Sequence, residues 1–470
     1  MGEMQIPAHA LYGASTARAV QNFPISGLRM QPALIWALLT VKKAATRVNQ
    51  ETGEFRRRQE RDPNAFRGRD PDAVAAAIVA AAEEIRHDMI ADAGAAYAGQ
   101  FPVDVYQAGA GTSLNMNVNE VLANSAIEKL GGQRGDRLLI DPNDHVNMGQ
   151  STNDVIPTAM RIAAVRLIES LHTNVERLED AFHERGGAFH HVLKSGRTHL
   201  QDAVPLRLGQ EFTAWAKTVR RSLAALDDAG TELTELGIGG NAVGTGINTR
   251  SDFPQRMVCA LSEETGRMFR TGEDLIELCQ SARAFVTLSS ALRSLALDLN
   301  RIANDVRLLA SGPTTGLAEI VLPPVQPGSS IMPGKVNPSM PEMLNMVCYQ
   351  VFGCDTTVAM ASQAGQLELN VMLPVIAYNL NHSLIILTNA VEVFTERCVV
   401  GIEADADRCR AFLDHSLGLA TVLTPVIGYL EAARIVKHAQ STGISIRQAV
   451  QEAGLLSPEE FDRLIADAIR

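Results

Sequence analysis

One apolar pattern in the sequence requires a long helix. From Phe285 to Leu309, large apolar residues recur at alternating intervals of three and four without a break. This spacing lines one face of an α-helix, and Gly312-Pro313 follows as a stop signal. Similar seams occupy residues 164–182, 208–226 and 373–398. Residues 340–351 and 357–363 form another predicted helix, in which Gly353 allows a bend. We therefore expect a mainly α protein with a central bundle of five long helices.

The pattern changes on both sides of these helices. The first part of the chain is mixed, with helices predicted over 32–49 and 73–89, and beyond Gly401 the helices become short. A length of 470 residues also exceeds one ordinary domain. The predicted division is an N-terminal domain over 1–140, a central domain of long helices over 141–398, and a small helical C-terminal domain over 399–470.

Composition excludes several classes of function. The net charge of -11 argues against a general nucleic-acid or membrane-surface role, so we expect neither as a partner. Charges interrupt the longest apolar helices, and no signal segment precedes them, which predicts a soluble cytoplasmic protein. The six cysteines show neither C-x-x-C pairs nor metal-ligand spacing. They are expected to be buried, reduced thiols, and no metal site is predicted.

Residues 56–70 contain six arginines and resemble an insertion between two helices. A polyanion-binding patch is one interpretation. Glu60, Asp62 and Asp70 are interleaved with the arginines, however, and Phe66 is the only aromatic residue. Nucleic-acid patches usually add aromatic stacking, so a solvated loop is the favoured interpretation.

The segment Gly328–Pro338 is a short exception between long helices. Its two glycines and two prolines rule out a continuous helix, and its glycines let backbone amides approach a small anion closely. Two hydroxyls, a lysine and an asparagine complete it: Ser329, Ser330, Lys335 and Asn337. These groups suit the binding of a carboxylate and the transfer of a proton. An ordinary surface turn is the alternative.

These eleven residues resemble the signature loop of the fumarase/aspartase superfamily. Four further segments resemble the same family in the same order, so the similarity spans nearly the whole chain: residues 101–120, 146–158, 196–212 and 355–374. The resemblance implies a fumarase/aspartase-like fold, in which smaller N- and C-terminal domains flank the long helices. It also implies a homotetramer with active sites shared between subunits, a small dicarboxylate or amino-acid substrate, and no cofactor.

The resemblance also implies a role for each polar residue of the loop. Elimination beside a carboxylate requires a base, stabilisation of an enediolate, and groups that hold both carboxylates. Ser329 matches the family's loop serine and is the expected base, supported by Ser330. Lys335 and Asn337 are suited to one substrate carboxylate.

Three other segments supply most of the remaining candidates. Thr112, Ser151, Thr152 and Asn153 match positions that hold the carboxylate next to the abstracted proton, with the asparagine near the leaving group. Helix capping is their alternative role, and both roles are compatible. Thr198 and His199 match residues at the substrate, and the family pairs this histidine with a glutamate that matches Glu342. Whether His199 assists the leaving group is left open.

The glycine-rich segment 237–246 invites a nucleotide-binding interpretation. It lacks the preceding strand and the later acidic residue of a dinucleotide fingerprint, so we discount that interpretation.

Small differences favour one reaction within the family. Ser113 and Thr152 stand where fumarases usually carry glutamine and a second serine, which resembles the aspartase pattern. The expected reaction converts L-aspartate to fumarate and ammonia. Four positions depart from the usual pattern: Ser15, Asn241, Thr314 and Leu373. A class II fumarase that hydrates fumarate to malate is therefore the alternative, and an inactive helical scaffold is a remote one.

Overall fold

The computed structural model describes residues 2–91 and 93–469, and within them the chain is mainly α, as the sequence predicts. The predicted domain limits at residues 1 and 470 lie outside the described residues. Within the described ranges, no helix combines the length and apolar character that crossing a bilayer requires.

Most of the described residues lie in α-helices. In chain order they are α1 Ala14–Asn22, α2 Pro32–Glu51, α3 Glu54–Arg61, α4 Pro71–Ala91, α5 Thr112–Lys129, α6 Thr152–Ala188, α7 Leu208–Glu232, α8 Phe253–Thr265, α9 Leu275–Gln280, α10 Arg283–Leu309, α11 Ser339–Ser362, α12 Leu373–Arg397, α13 Ala406–His415, α14 Ala420–Ile427, α15 Tyr429–Thr442, α16 Ile446–Glu452 and α17 Pro458–Ala468.

The strands are short and pair two by two. They are β1 Leu193–Thr198, β2 Gln201–Arg207, β3 Glu235–Leu236, β4 Arg270–Thr271, β5 Ile320–Val321 and β6 Glu403–Ala404. The first pair is an antiparallel hairpin, the second is parallel and the third is antiparallel. The hairpin strands have six and seven residues, whereas each of the other four strands has two.

The five long helices predicted from the apolar seams are confirmed. The helix α6 has 37 residues, and α7, α10, α11 and α12 have 25, 27, 24 and 25. The helix α11 continues through Gly353, where the sequence allowed a bend. Residues of the clearest seam, such as Leu288, Leu295 and Leu299, are fully buried. Burial of these apolar stripes is what makes such long helices stable.

The chain divides into two compact units. The first comprises residues 1–172, 224–294 and 350–387, and the second comprises 173–223, 295–349 and 388–470. Each of the five long helices contributes residues to both units. The division at residues 140 and 398 that the sequence suggested stays a prediction.

Aromatic side chains form the centre of the second unit. Phe182 of α6 lies edge-on to Phe212 and Trp215 of α7, with ring centroids 6.3 and 5.7 Å away. It also meets Phe394 of α12 at 6.5 Å. These edge-to-face contacts join three long helices through one ring.

In the first unit, charged side chains as well as apolar ones connect neighbouring helices. Arg161 of α6 is buried, donates to the backbone carbonyl of Glu232 at 2.9 Å, and lies 5.3 Å from the ring of Phe285. Asp355 of α11 accepts bonds from two side chains of α10, Ser289 at 2.7 Å and Arg293 at 2.9 Å. Polar groups within the packed faces thus fix which residues of neighbouring helices meet.

The C-terminal helices surround a small apolar core of their own. Leu413, Leu423, Ile435, Val450 and Phe461 are all at most 2% exposed and pack together. The last helix begins with a capping box, in which Ser457 accepts from the Glu460 amide and the Glu460 carboxylate accepts from the Ser457 amide. The short C-terminal helices predicted from the sequence are confirmed.

The arginine-rich segment is not the loop that we expected. Its first half continues the helix α3, and its second half contains a 3₁₀ turn over Ala65–Gly68. Phe66 is fully buried in that turn, where its ring lies 6.0 Å from Phe55 and 4.6 Å from His145. Phe66, the single aromatic residue of the segment, is therefore not available to stack on bases and instead anchors the segment in the protein core. Several of its arginines form exposed ion pairs: Arg56–Asp72, Arg58–Asp144 and Arg67–Asp136.

The cysteines also differ in part from expectation. Cys259 is exposed, whereas Cys279, Cys348, Cys354, Cys398 and Cys409 are buried, and all six are free thiols. Cys259 lies on the outer face of α8, a position that the cysteine spacing alone did not reveal.

His145 is a buried histidine with one unsatisfied nitrogen. Its Nδ1 accepts a hydrogen bond from the Asp141 amide at 2.9 Å, while Nε2 has no partner among the described residues. Burial lowers the pKa of His145 to about 4, against the opposing charge of Asp141. The imidazole is therefore neutral in the folded protein at neutral pH.

We expect acid to destabilise the protein through His145. Because the pKa is about 4 in the folded state and about 6.5 in the unfolded state, the unfolded state binds the proton first. Stability contributed by this group is complete above about pH 6.5 and falls by up to ~3 kcal/mol as the pH drops towards 4. Thermal unfolding of the wild type and His145→Gln between pH 7.5 and 5 measures it. A pH dependence of equal steepness in the two proteins would contradict this assignment.

Candidate active site

Two helix N-termini meet in the first unit. The helices α5 and α6 begin at Thr112 and Thr152, and the side chain of Asn115 donates to the Thr152 hydroxyl oxygen at 3.0 Å. Gly111 lies directly against Ile156, where a Cβ atom would be 3.1 Å from that side chain. Because a helix N-terminus presents free amides and a partial positive charge, two of them side by side favour an anion.

Ser151 caps the second of these helices. Its hydroxyl accepts from the Asn153 amide at 3.2 Å, and its own amide donates to the Asp154 carboxylate at 2.9 Å. The capping role considered from the sequence is therefore present. Thr112 is exposed and Ser151, Thr152 and Asn153 are partly exposed, so these side chains remain accessible to a small ligand.

The carboxylate of Asp154 holds the glycine-rich segment in place. It is fully buried and accepts from the amides of Gly239 at 3.0 Å and Asn241 at 2.9 Å. The Asn153 side chain adds a bond to the Ala242 carbonyl at 2.7 Å. Gly244 has a φ of +88°, and a Cβ there would lie 2.4 Å from the Ile276 amide nitrogen. Close packing against the protein itself accounts for the glycines of this segment.

Beneath this group lies a lysine that the sequence analysis missed. Lys42 is fully buried on α2 and donates from Nζ to the Asn147 side-chain oxygen at 2.7 Å. Burial lowers the pKa of Lys42 to about 7 and the charge of Asp154 opposes this shift. Burial likewise raises the pKa of Asp154 to about 6, opposed by its backbone hydrogen bonds and by Lys42. A lysine at an otherwise apolar position of the predicted helix 32–49 was the available signal.

The signature loop belongs to the second unit and surrounds Ser329. The hydroxyl oxygen of Ser329 accepts from two backbone amides, Ile331 at 3.2 Å and Met332 at 3.1 Å. The loop closes through the Gly328 amide, which donates to the Lys335 carbonyl at 2.9 Å. A Cβ on Gly328 would lie 2.3 Å from that carbonyl oxygen, so only glycine fits there. The concave side of the loop borders a cavity of about 470 Å³.

The other polar residues of the loop differ in their freedom. Ser330 and Lys335 are exposed. The side-chain amide of Asn337 donates to the Gly328 carbonyl at 2.9 Å and thereby helps to close the loop. One N–H of that amide is left for a ligand, so Asn337 combines a structural bond with the expected binding role.

His199 lies at the tip of the β1–β2 hairpin. The pairing of Thr198 with Gln201 leaves His199 and Leu200 as a two-residue turn, with φ angles of 55° and 58°. Such turns favour glycine and asparagine, and a leucine in the left-handed region is unfavourable. Leu200 is also 72% exposed. Strained residues at an exposed tip are typical of functional sites, which supports a role for Thr198 and His199 there.

A buried ion cluster fixes the base of this hairpin. Lys194 on β1 is 1% exposed and contacts two carboxylates, Glu319 at 2.8 Å and Glu211 at 2.9 Å. Arg197, two residues before His199, binds the same Glu319 at 2.9 Å. Burial raises the pKa of Glu211, and the charge of Lys194 opposes that rise. The base of the hairpin is therefore held by an ion cluster in which Lys194 and Glu319 are fully buried.

Glu342 lies in the first turn of α11 and is partly buried. Among the described residues, no hydrogen bond joins it to His199. The His199–Glu342 pairing stays a prediction. The candidates thus occur in three groups, which are the two helix N-termini, the signature loop and the hairpin tip.

Known proteins resemble this chain over its whole length. A lyase family model matches residues 2–353, and a model of the fumarase C C-terminus matches residues 419–466. An aspartate ammonia-lyase from a Bacillus species is 43% identical over 465 residues, which cover 99% of this chain and 95% of that protein. A class II fumarate hydratase from Neisseria meningitidis is 44% identical over 469 residues, which cover 100% of this chain and 97% of that protein.

A solved structure extends the similarity to the fold. The crystal structure of fumarate lyase:delta crystallin from Brucella melitensis bound to cobalt superposes with a TM-score of 0.90. The two chains are 45% identical, and the match covers 99% of this chain and 96% of that one.

We expect Glu319→Gln to destabilise the protein strongly. The substitution removes the carboxylate that Lys194 and Arg197 share, so Arg197 loses its ion-pair partner and the buried Lys194 keeps Glu211, at a cost of about 3–5 kcal/mol. The matched control is Glu396→Gln, because the Arg177–Glu396 pair is exposed and contributes at most about 1 kcal/mol. Denaturant unfolding compares the two. Equal small losses would show that the cluster does not anchor the hairpin.

Proposed function

The chain belongs to the fumarase/aspartase superfamily of lyases, and we propose that it removes ammonia from L-aspartate to form fumarate. The observation that carries this proposal is the environment of Ser329, whose oxygen accepts hydrogen bonds from two loop amides. A serine hydroxyl is too weak a base unless it is ionised, and amides aimed at its oxygen favour the ionised form. The loop therefore supports a base at this position.

The reaction begins with proton removal from the β-carbon. The Ser329 alkoxide takes this proton, and the electron pair moves into the adjacent carboxylate to give a dianionic enediolate. The electron pair then returns to form the carbon–carbon double bond, and the bond from the α-carbon to nitrogen breaks. Ammonia leaves with that bonding pair, and fumarate remains. Each pKa unit by which the serine is acidified requires about 1.4 kcal/mol of stabilisation.

The enediolate carries the charge that the site must stabilise. Thr112, Ser151 and Thr152 stand at two adjacent helix N-termini, where hydroxyl and amide donors suit a carboxylate whose charge increases. Neutral donors also avoid placing a cation beside the base. Asn153 is assigned to the leaving-group side.

The second carboxylate requires a separate set of donors. Lys335 supplies a point charge and Asn337 a planar amide, both from the signature loop, and Ser330 supports that loop. Thr198 and His199 approach the substrate from the hairpin tip, with Glu342 as the proposed partner of the histidine. Because the amine of aspartate leaves already protonated, His199 does not need to act as an acid.

The choice of substrate rests on a few side chains. Ser113 and Thr152 favour aspartate by their resemblance to aspartases. Hydration of fumarate to malate is the second candidate. It is favoured by the Neisseria fumarate hydratase, which is as similar to this chain as the aspartate ammonia-lyases are. Asn241 replaces a usual threonine in the segment that Asn153 and Asp154 hold.

The proposed assembly is a cytoplasmic homotetramer whose subunits share active sites. Large apolar side chains exposed on two long helices support association, because exposed apolar surface of this kind marks interfaces. They are Leu297 and Leu308 of α10 and Met346 and Met360 of α11.

We expect fumarate to form from L-aspartate and not from L-malate, as followed by the absorbance of fumarate. Ser329→Ala should lower turnover at least 10²-fold, since a positioned base contributes about 10²–10⁴-fold. Ser330→Ala is the matched variant of the neighbouring hydroxyl and should lose far less. Fumarate formed from malate alone would replace the aspartate assignment, and full activity of Ser329→Ala would refute the serine base.

The shared-site assembly predicts complementation between inactive variants. If Ser329 and His199 of one site come from different subunits, mixing Ser329→Ala and His199→Ala tetramers under exchange conditions should restore part of the activity. Native mass spectrometry of isotope-labelled subunits confirms that exchange has occurred. Mixed tetramers without any activity would argue against sites shared in this way.

A further inference from the structure

The first unit contains a hydrogen-bonded set of side chains that ends at the proposed substrate site. Lys42 donates to the Asn147 side-chain oxygen at 2.7 Å, and Asn115 donates to the same oxygen at 3.3 Å. The Asn115 amide also donates to the Thr152 hydroxyl oxygen at 3.0 Å. We call these four residues the Lys42 network.

Hydrogen-bond direction gives the network a consequence for Thr152. The hydroxyl oxygen of Thr152 accepts from Asn115, so the hydroxyl hydrogen points elsewhere and can be donated to a ligand. Thr152 is partly exposed, whereas Asn115 is 1% exposed. The network therefore fixes an accessible donor from its buried side. The hydrogen bond from Asn115 keeps the Thr152 side chain in one rotamer, whereas a threonine without this bond would exchange between rotamers.

Lys42 is the unusual member of this network. It is fully buried, and in the part of the chain that the structure describes no carboxylate lies within ion-pair distance of it. Buried lysines normally have such a partner, as Lys194 does with Glu211 and Glu319. Desolvating an ammonium group for one amide contact and the more distant charge of Asp154 is costly for stability alone. A role in positioning the site explains why the lysine is there.

The surrounding backbone is fixed independently of Lys42. The Gln150 backbone amide donates to the Asn147 backbone carbonyl at 3.0 Å, and the Asp154 carboxylate accepts from the Ser151 backbone amide at 2.9 Å. The start of α6 is thus secured by several bonds. Removing Lys42 is expected to disturb the side chains of Asn147, Asn115 and Thr152 before it disturbs the helix.

We propose that Lys42 is a positioning residue that acts through Asn147 and Asn115 to aim the Thr152 hydroxyl at the substrate carboxylate. The proposal rests on the proposed function, because it assumes that Thr152 binds the carboxylate whose charge increases. Lys42 itself touches no substrate. Its effect on the reaction is transmitted only by the orientation of one hydroxyl group.

This role predicts a specific kinetic signature. A donor that is aimed where charge develops acts mainly in the transition state, so its loss lowers kcat more than it raises KM. Lys42→Met removes the ammonium group and retains the aliphatic bulk. We expect kcat to fall up to about 100-fold, as small misplacements of reacting groups do. Lys43→Met is the matched control, because the neighbouring Lys43 contacts Glu83 and Glu264 instead.

A double-mutant cycle separates positioning from simple stabilisation. If Lys42 acts through Thr152, the variant Lys42→Met/Thr152→Val should be no slower than Thr152→Val alone. Two effects that multiply would overturn the proposal, and so would an unchanged kcat in Lys42→Met. If Lys42→Met fails to fold, Asn115→Ser takes its place in the same cycle and the same two criteria apply.

The double-mutant cycle tests the Lys42 network whether the substrate is aspartate or malate. A wild type that converts malate and not aspartate would refute the proposed function, yet the cycle run on malate would still test the Lys42 network. A wild type that converts neither substrate would overturn both proposals. If the wild type is active and the effects of Lys42→Met and Thr152→Val on kcat multiply, the role of Lys42 is refuted and the proposed function is not.

Discussion

The buried carboxylate of Asp154 is the constraint on which the candidate site depends. A carboxylate without access to water must be surrounded by donors, and here the amides of Ser151, Gly239 and Asn241 supply them. One side chain therefore specifies where α6 begins and where the glycine-rich segment lies. Two distant stretches of the sequence, at Ser151 and at 239–241, donate to this one carboxylate. If either stretch moved away, the buried Asp154 carboxylate would lose hydrogen-bond donors.

Desolvated charge has the same role in both units. In the second unit Glu319 joins Lys194 and Arg197 and so orients the hairpin that carries His199. The apolar seams stabilise the long helices, but apolar contacts are non-directional and by themselves do not specify one unique packing. Buried polar contacts remove that freedom, because only one arrangement satisfies them. The apolar faces thus stabilise the helices, and the buried charges specify the positions of the loops.

The long helices were predictable because their signal is local and repeated. A heptad seam such as 285–309 has eight apolar positions that agree, so one exception changes little. The loop around Ser329 was predictable from its glycines and prolines. Lys42 and the burial of Phe66 were not, since each depends on contacts with residues about 80 or more positions away. The position of Lys42 on an otherwise apolar stretch of helix was a signal, but the sequence pattern did not identify the distant residues that bury it.

The division of the five long helices between two units has a consequence for how this molecule can change. Each unit is built from three separate stretches of sequence, so no contiguous piece of the gene encodes either one. Neither unit can therefore be exchanged or deleted as a separate domain, as the domains of a linear multidomain protein can. New specificities in such a protein must arise by substitution within a shared framework, because recombination would cut every long helix.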